Sequence, residues 1–272
     1  MIWPFKRRKR KIARIVVDGA IDGSTRKHLL KAFKQIEEQK FPALLLRINS
    51  PGGTVGDSQE IYNALVRLQE KVKMVASFGN ISASGGVYIA MGVPHIMANP
   101  GTITGSIGVI LRGNNLKELL DKVGVSFKVI KSGPYKDILS FDRELTEAEQ
   151  QILQDLIDSS YGQFVQTVAQ GRNLSEETVR SFADGRIFTG EQAQALGLVD
   201  RLGSEEDARR WLAELAELDP EKAETVNFDP PKPVVSRFLS SQVPGFGTLA
   251  TYSKTLEFEL STAGQPLWLY RP

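Results

Sequence analysis

The sequence has no cysteine and only two histidines, His28 and His95. The first absence excludes disulfides, thiolate nucleophiles and thiolate metal sites. Two histidines this far apart argue against a histidine-built metal centre, and no cofactor is expected. No apolar run reaches the ~18 residues of a membrane-spanning helix. The first fourteen residues lack the apolar middle region of a secretory signal. A surplus of charge is missing too: the formal net charge is +2, too little to argue for nucleic acid as a partner. The asymmetry that exists is local. KRRKRK, Lys6 to Lys11, follows Ile2, Trp3 and Phe5. Such a block is either a solvated tail or a peripheral contact for anionic lipid headgroups.

What is present is the material of a soluble α/β domain. Of 272 residues, 41% are hydrophobic and 24% charged, as in an ordinary globular protein. KIARIVVDGAID reads as an opening strand that ends at Gly19. Ser24 is a fitting N-cap for a helix to about Gln39. ALLLRIN, Ala43 to Asn49, is a short apolar run of the kind that forms a buried parallel strand. A helix from about Asp57 to Glu70, the strand KMVASFG, a small-residue helix from Ser84 to about Met91 and the strand HIMANP follow. Further on come a helix near Asn115 to Lys122, the strand SFKVIKS, and a long helix that Thr146 and Glu149 open with a capping box. This alternation predicts a mostly parallel sheet flanked by helices. Residues 1–13 read as a basic tail and 14–218 as the domain. Residues 219–272 read as a proline-containing linker plus an extension whose Leu267, Trp268, Leu269 and Tyr270 are too apolar for a free tail. That extension should dock on its own domain or on a neighbouring subunit.

Two glycine clusters follow predicted strands: NSPGG at Asn49–Gly53 and SASGG at Ser82–Gly86. Each alone is as readily a plain turn or a close helix–strand contact. Together, at strand ends of an α/β sheet, they point to one crevice beyond the strand carboxyl ends. Glycine lets backbone N–H groups approach a substrate carbonyl without a Cβ in the way, which is what an oxyanion hole needs. Gly53 and Gly85 are the candidate donors. Ser84, directly before Gly85, is the candidate nucleophile, with Ser82 as runner-up. A serine needs a base. His95 in GVPHIM and His28 on the first helix are poorly placed for that role, which leaves lysine. A lysine is a base only when uncharged, and burial favours that form. Lys136, in KSGPYKDILS after a predicted strand, stands out from the solvated lysines, although Asp137 beside it would also suit an ordinary surface pair.

The stretches RINSPGG, FGNISASGGVYIAM, ANPGTITGSIGV, KSGPYKDI and RIFTGEQAQALGLVD, in this order over about Ile12 to Asp200, resemble the signal peptide peptidase A family. These are bacterial Ser/Lys proteases of the caseinolytic-protease and crotonase (ClpP/crotonase) superfamily. The resemblance implies a spiral of repeated β-β-α units. It implies Ser84 as nucleophile and Lys136, 52 residues later, as general base. Ser106 in TGSIG would orient the lysine, and the amides of Gly53 and Gly85 would form the oxyanion hole. It also implies a homo-oligomer, a tetrameric or octameric ring, with active sites where subunits meet. The expected partners are peptide substrates: remnant signal peptides or other unfolded apolar segments. The chain departs from the family at its N-terminus, where many members carry a membrane-spanning helix. A cytoplasmic or peripheral inner-membrane location is therefore expected. Two other readings fit parts of the pattern: a crotonase-type acyl-coenzyme A enzyme, and a membrane-associated scaffold without chemistry.

Overall fold

A computed structural model of the chain describes residues 11–229, 262 and 264–270. The lipid-contact reading of the basic block falls, except for Lys11, outside these residues. Among the described residues no helix is long and apolar enough to cross a membrane.

The alternation seen in the sequence builds a sheet covered on both faces. Strand β1 (Ile12–Asp18) pairs in parallel with β2 (Ala43–Ser50), which pairs in parallel with β4 (Lys73–Ala83). Successive residues point to opposite faces. Leu44, Leu46 and Ile48 join the core formed with the helices Gly23–Glu38, Val55–Leu68 and Glu147–Arg172. Ala43 and Leu45 instead pack with Val75, Met97, Trp211 and Leu212, the last two from the helix Glu205–Leu215. That is why β2 reads as a continuous apolar run and not as an alternating one.

The eleven-residue β4 has two sets of neighbours on one edge. Its first half pairs with β5 (His95–Ala98), and its second half with β6 (Ile103–Gly105). Beyond β6 lies the antiparallel β7 (Ile187–Thr189), while β8 (Arg201–Leu202) extends β5. The sheet therefore forks along β4. This mostly parallel, helix-flanked spiral is the α/β fold expected from the sequence.

Several local expectations change. The first helix is capped by Asp22, whose carboxylate accepts from Thr25 N–H, and Ser24 falls inside its first turn. Thr225–Asn227, read as linker, form an edge strand (β9) parallel to β1, and Asp229 accepts from Val16 N–H at 2.8 Å. The predicted strand SFKVIKS does not form. It lies on an arm in which no residue from 108 to 148 is buried, and a strand without a neighbour to complete its ladder has no reason to persist. The capping box at Thr146 and Glu149 is present, and it opens the helix Glu147–Arg172.

Candidate active site

β4 ends at Ala83, and the chain turns at Ser84 into the helix Gly85–Ala90. Ser84 has φ 53° and ψ −116°. This is close to the first central residue of a type II′ turn, about +60° and −120°, where glycine is preferred. For an L-residue such a conformation costs about 1–3 kcal/mol and persists only where its surroundings enforce it. Here the enforcement is visible. Ser84 N–H donates to the Gly105 carbonyl at 2.8 Å, continuing the β4–β6 ladder by one residue. All six residues of the following helix are buried. The Ser84 hydroxyl makes no capping bond, and its Oγ is buried without a hydrogen-bond partner.

Two glycine amides converge beside it. β3 (Gly52–Thr54) is held through Ile21, whose N–H donates to the Gly52 carbonyl and whose carbonyl accepts from Thr54 N–H. A Cβ on Gly53 would lie 1.9 Å from the Ile21 oxygen, so only glycine fits. A Cβ on Gly52 would lie 2.7 Å from Gly85 N, and one on Gly85 would lie 3.1 Å from Gly53 N. The amides of Gly53 and Gly85 thus border a small space that a side chain at Gly52 or Gly85 would fill.

A backbone carbonyl sits there. The C-terminal strand β10 (Leu267–Leu269) pairs antiparallel with β3, with Trp268 opposite Gly53. Tyr270 N–H donates to the Pro51 carbonyl at 2.7 Å. Hydrogen-bonded pairs recur at every second residue of an antiparallel ladder, which makes Trp268–Gly53 such a pair. The Trp268 oxygen lies 2.0 Å from the Cβ position of Gly52 and 3.0 Å from that of Gly85. On its other edge the same strand bonds to the start of the arm. Leu267 and Ile110 exchange both bonds, at 2.9 and 3.0 Å, and Gly264 N–H donates to the Arg112 carbonyl. The Trp268 side chain is fully buried. It stacks on Tyr88 at 3.9 Å between ring centres and lies 4.9 Å from Phe164. Burial of so large a side chain contributes on the order of 3 kcal/mol. Its Nε1 finds no partner. Burial raises the Tyr88 phenol above its ordinary pKa, and its hydroxyl accepts from Thr167 Oγ1 at 3.2 Å.

The remaining predicted residues divide. Ser106 follows Gly105, the partner of Ala83 in the ladder, so it lies next to Ser84. It also has positive φ, 51°, and its N–H donates to the Arg186 carbonyl. Lys136 is exposed on the arm and makes no hydrogen bond to the Ser84 hydroxyl. Its loop is anchored by its neighbour Asp137, which pairs with Arg143 at 2.8 Å and Lys131 at 2.6 Å. Those two cations hold the Asp137 carboxyl well below the usual carboxylate range. Arg143 also grips the buried Glu149. One chain thus gathers Ser84, Gly53, Gly85 and Ser106 and leaves Lys136 apart. Ser82, the runner-up, is fully buried in β4 opposite Ser50. His95 pairs with Val75 near the start of β4, the far end from Ser84. It packs on Trp211 with its pKa lowered by burial. Among the described residues no cluster of acidic or histidine side chains is placed to hold a metal ion. Sequence reasoning missed the aromatic pocket of Tyr88 and Phe164. The apolar C-terminus hinted at it.

A forked parallel sheet that delivers an unbonded serine beside two converging amides is the framework of a serine hydrolase. Residues 66–219 match the model of peptidase family S49, and residues 7–100 match that of Clp protease. The chain belongs to peptidase family S49 and is a serine protease. It is 70% identical over its whole length, and over the whole of the relative, to a Synechocystis protein provisionally named protease slr0021. It is 39% identical over 212 residues to a provisionally named signal peptide peptidase SppA of Enterococcus faecium, covering 73% of this chain and 62% of that one. Protease 4 of Salmonella typhi is 38% identical over 66% of this chain and 29% of its own.

Proposed function

We propose that the protein is an endopeptidase that cleaves unfolded apolar peptides through a Ser84/Lys136 dyad. The observation that carries this is the forced backbone of Ser84, which holds an unbonded hydroxyl beside the amides of Gly53 and Gly85. In the proposed reaction the uncharged Lys136 amine takes the Ser84 proton as Oγ attacks the peptide carbonyl. The two glycine amides stabilise the resulting oxyanion. The lysine returns the proton to the leaving amine, and water then hydrolyses the acyl-enzyme by the same relay. Ser106, adjacent in the ladder, orients the amine. Remnant signal peptides are one such substrate, in keeping with the name of the Enterococcus faecium relative.

The exposed position of Lys136 favours a dyad completed between copies of the chain in a ring. The arm that carries it presents Leu119, Val123, Phe127, Val129 and Ile130 to solvent, the last 93% exposed, which is more apolar surface than a lone chain keeps without a partner. The test is cleavage of an unfolded apolar peptide by wild type, Ser84→Ala, Lys136→Ala and an equimolar mixture of the two variants. Each variant alone should be inactive. The mixture should regain part of the activity, because some sites then combine an intact serine with an intact lysine. Activity surviving in Lys136→Ala removes the proposed base. A dead mixture of variants that still co-assemble places both residues of a dyad in one chain.

A further inference from the structure

We infer that Arg143 is a positioning residue for the proposed reaction: it clasps the loop that carries Lys136 and fixes that loop to the head of the helix Glu147–Arg172. The inference rests on the reading of Lys136 as general base. A base acts only from its productive place, and a misplacement of about 1 Å can cost about 100-fold in rate. Neither packing nor the loop's own backbone secures that place. No residue from 108 to 148 is buried, so no packed core lies under the loop. Its backbone bonds are long, 3.4 Å from Lys136 N–H to the Gly133 carbonyl and 3.3 Å from Ile138 N–H to the Tyr135 carbonyl, outside the usual range.

Two cations hold the loop instead, bonding to residues on either side of Lys136. Lys131 Nζ donates to the Pro134 carbonyl at 3.0 Å and to the Asp137 carboxylate at 2.6 Å. That contact closes the loop on itself. Arg143 ties it to a different element. Its Nε and Nη2 donate to the two oxygens of the Asp137 carboxylate at 3.1 and 2.8 Å, and Nη2 also donates to the Asp137 carbonyl at 3.0 Å. Its Nη1 and Nη2 donate to the Glu149 carboxylate at 2.8 and 2.5 Å. The Glu149 side chain is only 2% exposed. It closes the capping box, so it is fixed to the first turn of a helix that Phe164 and Val165 anchor in the core. A guanidinium can bridge two carboxylates in this way because its donors form a rigid planar fork. Isolated surface pairs contribute little, whereas a bidentate network holds its members in place. The contacts thus run from the core helix through Glu149, Arg143 and Asp137 to the residue beside the base.

The test compares full-length wild type, Arg143→Ala and Asp137→Ala on an unfolded apolar peptide. Asp137→Ala leaves the Arg143–Glu149 pair in place, so it reads the loop even if Arg143→Ala folds poorly. In both variants kcat should fall about 10- to 100-fold while KM stays within about twofold, the pattern of a group placed for the transition state alone. Amide hydrogen exchange of residues 132–139 should quicken, and assembly, read by light scattering, should persist. Guanidinium ion well below denaturing concentration should restore kcat and slow the exchange in Arg143→Ala, and do neither in Asp137→Ala. Unchanged kcat, unchanged exchange or lost assembly in Asp137→Ala overturns the inference, as does a folded Arg143→Ala that guanidinium leaves inactive. Lys136→Ala, measured alongside, separates two failures. If it is inactive while Asp137→Ala is fully active, the role given to Arg143 is wrong and the base stands. If both are active, the reading of Lys136 has failed and the inference falls with it.

Discussion

Replacing Ser84 by glycine should make the protein more stable than replacing it by alanine, although both remove the same hydroxyl. The reason is the backbone. At φ 53° and ψ −116° alanine retains the clash of an L-residue, which costs about 1–3 kcal/mol. Glycine escapes it but gives up more freedom on folding, about 0.5–1 kcal/mol relative to alanine. The hydroxyl drops out of the comparison, because it neither caps the helix nor bonds to anything, while the buried Cβ that glycine lacks is worth about 0.8 kcal/mol. The balance favours glycine by about 0.5 kcal/mol, or about 1 °C in Tm for a domain of this size. The assay is thermal unfolding of Ser84→Gly and Ser84→Ala at matched concentration, since assembly itself shifts Tm. Ser84→Gly melting at or below Ser84→Ala would refute the idea that the turn is held against its own preference. Both variants should lack peptidase activity.

Ile130→Asp should leave the fold of the single chain within about 0.5 kcal/mol, as substitutions at exposed sites do. It should abolish assembly and peptidase activity together, as read by light scattering and peptide cleavage; an assembled, active Ile130→Asp protein would contradict the role given to the arm. The Glu149 carboxyl is held down at about 2 by Arg143 and by the Thr146 amide. A depressed carboxylate contributes stability above its unfolded pKa of about 4.3 and loses that contribution as pH falls towards the folded value. Glu149→Gln should therefore lower the urea midpoint at pH 7 and lower it by less at pH 3; a gap that stays constant with pH would show that the pairing is unimportant.

The frame was legible in the sequence because its signals are local. The apolar run of Ala43–Asn49, the capping box at Thr146 and the paired glycines after two strands each point to one structure without reference to distant residues. Ser84 could be placed for the same reason: its unusual backbone follows from a strand that ends against a glycine-led helix. The misreadings share an opposite cause. SFKVIKS has the composition of a strand, but pairing depends on a neighbour, and among the described residues it has none. Thr225–Asn227 look like linker between prolines and charges, yet they find the free edge of β1. The docking of Trp268 depends on Gly53, Tyr88 and Phe164, all more than a hundred residues earlier, and no periodicity encodes such a meeting. Lys136 stands out through its motif, while its exposed position on the arm, unbonded to the Ser84 hydroxyl, was not legible.

A slot walled on both sides by backbone groups that bond whatever strand lies between them sorts its occupants by conformation before it reads any side chain. A segment within a native sheet or helix has already committed its amides and carbonyls elsewhere, and it is too wide to enter between two edges. Only chain that has come free of its own structure can lie down there. On the function proposed above, the same two rails that seat Leu267–Tyr270 would spare folded neighbours and grip only loosened or discarded polypeptide.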